Sequence, residues 1–305
     1  VIARRAFLRL GFLGAATLGL GLTRVWAKPV RPRVFMVLFR GETDAERGFR
    51  QYFAERGHPL VYQQRDCGGD PGRLPEIAAE LRSERPDLVY AFGTTVTRFL
   101  VGKEGVAPIP LVFAVVADPV GAGIVKSLAG SGGSFTGVSH LVPAESQVRA
   151  MRSVVEVRRI GAVLNPREVN AVLTLRKLAE LGPRLGFVTR FAPARLDASD
   201  QPEPAALPAL VDRLIAEGIA ILYLPSDSFV ISNARVLVGR AHGAGVPPFS
   251  ATEESVRRYG ALMGLVVRYN QIGQFAAYKA EQILFDGADP GDIPVQTLDR
   301  FSFLI

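Results

Sequence analysis

At 305 residues, with 48% of them hydrophobic and 21% charged, the chain is long enough to bury a sizeable core and to divide into about two domains. Its formal charge of +7 suggests a nucleic-acid partner, but Arg4, Arg5, Arg9 and Arg24 fall in the first 27 residues with no acid among them, which leaves +3 for the rest. That balance, with no Lys/Arg run interleaved with aromatics, excludes a nucleic-acid groove, and a single cysteine, Cys67, excludes an intrachain disulfide.

Residues 1–27 read as an export signal. Arg4, Arg5 and the following Phe7, Leu8 and Arg9 precede an apolar run from Leu10 to Leu22, and Val25 and Ala27 set a small-x-small cleavage point after Ala27. The run is too short for a bilayer-spanning helix of ~20 residues. The paired arginines are of the twin-arginine type, read by a receptor that exports folded proteins. The alternative is an ordinary amphipathic first helix. The expectation is an exported, periplasmic protein.

Beyond Ala27, short apolar runs alternate with helical periodicity. The first series predicts strand 33–39, helix 43–56, strand 61–65, helix 74–83, strand 87–92, helix 94–102 and strand 110–116. The second predicts helix 145–154, strand 159–164, helix 170–181, strand 186–191, helix 207–217 and strand 219–224. Helix 232–244, strands 247–250 and 261–267, helix 271–285 and a strand at 295–298 follow. This βαβα order with apolar strands predicts an α/β fold of parallel sheets covered by helices on both faces. The two series, parted by the glycine-rich segment 130–134, predict two Rossmann-like lobes with a ligand cleft between them.

In open parallel sheets, ligands bind outside the carboxyl ends of the strands. That rule selects the loops 40–43, 93–95, 118–120, 165–170, 225–228 and 268–270. Thr94 and Thr95 open a helix, so its free N–H groups and their hydroxyls suit an anionic head group such as a carboxylate. Alternatively Thr94 simply caps that helix. Asp118 and Asp227 each follow an apolar strand, where a carboxylate can meet a ligand ammonium or hydroxyl. Equally, Asp118 can start the turn before Pro119, and Asp227 can cap the helix that follows it.

Motifs for catalysis are thin. His58, His140 and His242 lie far apart without metal-ligand spacing. The context of Ser139 and His140 lacks the second glycine of a nucleophile elbow. The glycines after Asp118 lack the third member of a dinucleotide fingerprint, and no phosphate-binding GK[ST] loop occurs. No enzyme, cofactor or metal is expected.

The same loops carry a family resemblance. The segments 110–128 (PLVFAVVADPVGAGIVKSL), 132–138 (GGSFTGV), 164–170 (LNPREVN) and 223–228 (YLPSDS) are its strongest part. With 246–249 (VPPF), 269–273 (YNQIG), 283–287 (ILFDG) and 293–295 (IPV), the chain from about 33 to 303 resembles ABC-transporter substrate-binding proteins of the type that includes tryptophan- and tyrosine-binding members. The resemblance implies the type I periplasmic binding protein fold, two α/β lobes joined by three crossovers. It divides the chain into 33–138 plus 271–286 as one lobe, and 139–267 plus 287–305 as the other.

It further implies an exported, monomeric binding protein that traps a small molecule, an amino acid or related organic acid or amine, and delivers it to an inner-membrane ABC permease. On that analogy Thr94 and Thr95 hold the carboxylate, and Asp227 the ammonium with Ser228 alongside. Glu168, Asn170 and Asn270 supply the second-lobe and hinge side, and Phe39, Val120, Phe249 and Tyr269 an apolar wall. Two departures matter. The usual Asp-Asn reads Asp227-Ser228, losing an amide, and the first loop carries Arg40 and Glu42. Arg40 either favours a ligand with an extra acidic group or is solvated beside Glu42. The alternatives are a ligand-sensing module for a signalling receptor and an exported α/β enzyme. A repressor of this fold would need a DNA-binding helix-turn-helix where this chain has its export signal.

Overall fold

The computed structural model describes residues 31–140 and 142–305, so the export signal read in residues 1–27 lies outside the described residues. The first run of elements is β1 (Arg33–Leu38), α1 (Asp44–Glu55), β2 (Val61–Asp66), α2 (Leu74–Glu84), β3 (Leu88–Phe92), α3 (Gly93–Leu100), β4 (Leu111–Val116) and β5 (Phe135–Ser139). The second is α4 (Ala144–Arg152), β6 (Arg159–Leu164), α5 (Val169–Leu185), β7 (Val188–Pro193), α6 (Leu207–Ala216) and β8 (Ile221–Leu224). It continues with α7 (Ser228–Ser232), α8 (Ala234–Gly243), β9 (Pro248–Ser250), α9 (Glu253–Tyr259) and β10 (Met263–Val266). The chain then forms α10 (Tyr269–Leu284), β11 (Gln296–Thr297) and β12 (Ser302–Leu304).

The strands β3, β4 and β8 are buried along their whole length, as continuous apolar runs must be when helices cover both faces of a parallel sheet. They sit in two sheets. The first has the order β11-β5-β4-β3-β1-β2 and is parallel throughout. The second has the order β12-β10-β9-β8-β6-β7, parallel except where β12 runs against β10. The chain passes between the sheets after β5, after β10 and after β11.

Several elements differ from the sequence expectation. The strand β5 escapes notice because Thr136, Gly137 and Ser139 break its apolar run. Gly137 is required there, since a Cβ would stand 2.3 Å from the Phe113 ring. The segment expected as helix 232–244 is split at Asn233, and α7 starts earlier, at Ser228. The short helix α9 has too few residues for its periodicity to show.

The C-terminal expectation is corrected in part, because β11 belongs to the first sheet and β12 to the second. Side chains explain the capture of β11. Lys279 Nζ, buried on α10, donates to the Pro294 carbonyl at 2.6 Å and to Gln296 Oε1 at 2.8 Å, and Thr136 Oγ1 donates to the Ile293 carbonyl at 2.8 Å. Burial draws the Lys279 pKa down to about 8.

Two devices fix the helices beside the first sheet. Thr43 and Glu46 form a capping box at the start of α1, with the Thr43 amide donating to Glu46 Oε2 at 2.7 Å. Glu46 is itself buried and accepts the Tyr90 hydroxyl at 2.6 Å. Helix α10 then lies directly on α1. A Cβ at Gly273 would stand 1.8 Å from the Ala45 carbonyl oxygen, and one at Gly48 2.1 Å from that of Asn270.

Candidate functional site

The two sheets repeat one strand order, 2-1-3-4-5 in the first and 7-6-8-9-10 in the second. Each chain run doubles back past its founding strand, opening a crevice at the carboxyl ends of β1 and β3, and again of β6 and β8. Residues from both crevices line a single narrow cleft, with a cavity volume of about 30 Å³ in this closely apposed arrangement. The first lobe supplies Phe39 and Arg40 after β1, Phe92 to Thr95 at the β3–α3 junction, and Val115 from β4. The second supplies Glu168, Asn170, Ser226, Ser228 and Ile231, and Tyr269 enters from the first turn of α10.

The first-lobe side is built to donate. Gly93 takes φ of +80° to turn β3 into α3, and the helix receives no side-chain cap. Thr94 therefore stands inside the first turn instead of capping it, and the electropositive end of α3 opens on the cleft. Val115 lies at a register shift in β4 with φ of +59°, a left-handed conformation that is costly for a β-branched residue.

The second-lobe side is built to accept. Both Glu168 carboxylate oxygens receive the Ser228 amide, at 2.8 and 2.9 Å, and Oε1 receives that of Phe229 at 3.3 Å. Burial nonetheless pushes the Glu168 pKa up, against those amides, Asn170 and the field of Arg40. Asn170 Nδ2 donates to the Ser226 carbonyl, which fixes the amide beside Glu168.

Several contacts join the lobes around this cleft. Arg40 Nη1 lies 2.6 Å from Glu254 Oε2, and its guanidinium stands 5.7 Å from the centre of the Phe92 ring. Burial opposes its charge, but Tyr269 and Glu254 outweigh that and raise its pKa. Lys177 on α5 meets Asp118 at 2.5 Å. Burial alone would raise the Asp118 pKa, yet Lys177 and the Gly121 amide hold it low. His140 Nε2 lies 2.9 Å from Ser226 Oγ, and burial draws its pKa down to about 4. The Tyr269 hydroxyl is buried beside Arg40, and burial pushes its pKa up to about 12.

Of the residues proposed from sequence, Phe39, Arg40, Thr94, Thr95, Glu168, Asn170, Ser228 and Tyr269 line the cleft. The others lie elsewhere. Asp227 is 0% exposed and caps α7, accepting from Val230 N at 3.0 Å and from Asn165 N at 2.6 Å. Burial and the nearby Glu168 push its pKa well up. Phe249 is a core residue stacked on Tyr223, Val120 is exposed, and Asn270 donates to Gln51 on α1. Arg40 does not sit beside Glu42, which pairs with Arg50 at 2.9 Å instead.

The residues missed are Phe92, Val115, Ile231 and Glu254. The same carboxyl-end rule, applied to β9, would have found Glu254. Val115 is hidden because nothing local marks the register shift near the carboxyl end of β4 where it turns to a left-handed conformation. Among the described residues no group of three or more His, Cys, Asp or Glu could hold a metal ion. No helix among them is long and apolar enough to cross a membrane.

Two α/β lobes facing each other across a polar cleft at their switch points define a binding protein for a small solute. The chain belongs to the ABC transporter substrate binding protein family, whose model matches residues 45–305. It is similar to the tyrosine-binding protein of Clostridioides difficile strain R20291, with 26% identity over 266 residues, or 86% of this chain and 74% of that one. A conserved domain protein from Vibrio cholerae superposes with a TM-score of 0.81 at 29% identity, covering 90% of this chain and 91% of that one. An ABC domain from Streptococcus pneumonia in complex with L-Trp superposes with a TM-score of 0.78 at 21% identity, over the same shares of the two chains. Those neighbours share the type I periplasmic binding protein fold.

Proposed function

We propose that the chain is the exported, non-catalytic binding component of an ABC importer, which captures an α-amino acid or a closely related zwitterion by lobe closure and hands it to an inner-membrane permease. One observation carries this reading: the uncapped N-terminus of α3 with Thr94 and Thr95 faces Glu168 and Asn170 from the opposite lobe. The first is a seat for one carboxylate and the second for one ammonium. A ligand that spans them touches both lobes, so it binds the closed arrangement better than the open one and shifts the population toward it. The ammonium role passes from Asp227 to Glu168, because Asp227 is fully buried inside the second lobe whereas Glu168 lines the cleft.

A thermal-shift screen of the chain from residue 28 onward against amino acids and small metabolites tests the reading. A ligand at 100 times its Kd stabilises by about 2.7 kcal/mol. If no small solute raises the melting temperature, the capture reading fails. For a ligand that does, Glu168→Gln should weaken binding by about tenfold or more while leaving its des-amino analogue unaffected. Equal losses for both compounds would remove Glu168 from the ammonium seat.

A further inference from the structure

The capture scheme leaves Arg40 unused. A guanidinium beside a helix end that already seats one carboxylate ordinarily invites a second. Here its charge is answered from the other lobe. Arg40 sits at the end of β1 and Glu254 on α9, with side chains 8% and 17% exposed and 2.6 Å between them. Arg258, one turn further along α9, lies 3.4 Å from the other Glu254 oxygen and holds that carboxylate in place.

Charge accounting then restricts the ligand. Among the described residues that line the cleft, Arg40 is the one cation. Within the buried part of the cleft it is matched by Glu254, since Arg258 reaches that carboxylate from the solvent side with its own side chain 56% exposed, and the field of Arg40 also reaches Glu168. What remains for a ligand is one anion seat at α3 and one cation seat at Glu168. A second ligand carboxylate would be desolvated beside Glu168 and Glu254 with no free cation to meet it.

We propose that Glu254 is a specificity-determining residue: by neutralising Arg40 from across the cleft, it confines the site to α-amino acids of zero net charge. The proposal rests on the amino-acid reading above. Its test is calorimetric titration of the wild type and Glu254→Gln with L-glutamate, L-aspartate, their isosteres L-glutamine and L-asparagine, and the other neutral L-amino acids. In the wild type, both acidic probes should bind at least about tenfold more weakly than the tightest neutral amino acid. In Glu254→Gln, Arg40 is released, and that ratio should move about tenfold or more toward the acidic probes. Adding Arg40→Met should cancel the gain, and circular dichroism reports whether each variant is folded.

Tighter binding of an acidic probe than of any neutral one to the wild type overturns the proposal. So does a ratio that Glu254→Gln leaves unchanged. Failure of the underlying capture reading looks different, because then no amino acid binds either protein.

Discussion

Single residues in and around this cleft hold their charge states through burial, which makes those states measurable. His140 is the clearest case. Its ring is buried edge-on to Tyr269, at 6.0 Å between centroids, and its pKa falls from 6.5 to about 4. As pH drops below 6.5, the unfolded chain takes up the proton while the folded one does not. Stability present above 6.5 is therefore lost as pH falls toward 4, by on the order of 3 kcal/mol. Urea unfolding at pH 7, 5.5 and 4.5 should show this loss, and His140→Gln should flatten it. Glu168 and Asp227 have raised pKa values and act with the opposite sign, so the slope of interest is the difference between wild type and variant. Parallel slopes would show that His140 titrates as it does in water.

At the scale of elements, the crossing of α1 and α10 sets the entry of Tyr269 into the cleft, since Tyr269 begins the helix that Gly273 presses onto α1. Gly273→Ala would drive a Cβ to 1.8 Å from the Ala45 carbonyl oxygen, a backbone atom that cannot swing aside. Overpacking of this kind costs about 1–3 kcal/mol even where side chains can yield, so the loss here should reach the upper end. A melting temperature within a degree of wild type would mean the helices separate freely. The sequence makes most of these elements legible, because β1, β3 and β4 are unbroken apolar runs and α1 announces itself with Thr43 and Glu46. It hides what depends on contacts between distant segments. Nothing local in Gln296 and Thr297 says which sheet they join; buried Lys279 decides that. The carboxyl-end rule likewise finds the loop of Asp227, yet only the fold shows that its side chain turns inward to Asn165 while Glu168 lies on the cleft.

For the whole molecule, the two ion pairs across the cleft run in opposite senses. The first lobe offers Arg40 to Glu254, and the second offers Lys177 to Asp118. Both pairs need the lobes together, so under the proposed capture by lobe closure each would add to the closed side. Their consequences differ because Arg40 lines the cleft and Lys177 does not. Lys177 is about half exposed, where an ion pair is worth little and is screened by salt. Lys177→Met should accordingly weaken every bound ligand by the same modest factor, about two- to fivefold, and reduce the salt dependence of binding. Titration of two ligands of different side chain, at low and high salt, separates the possibilities. A change confined to one ligand would mean that Lys177 reaches the ligand itself. No change at either salt concentration would mean that closure does not draw on the Lys177–Asp118 pair, leaving Arg40 and Glu254 as the charged contact that couples the lobes.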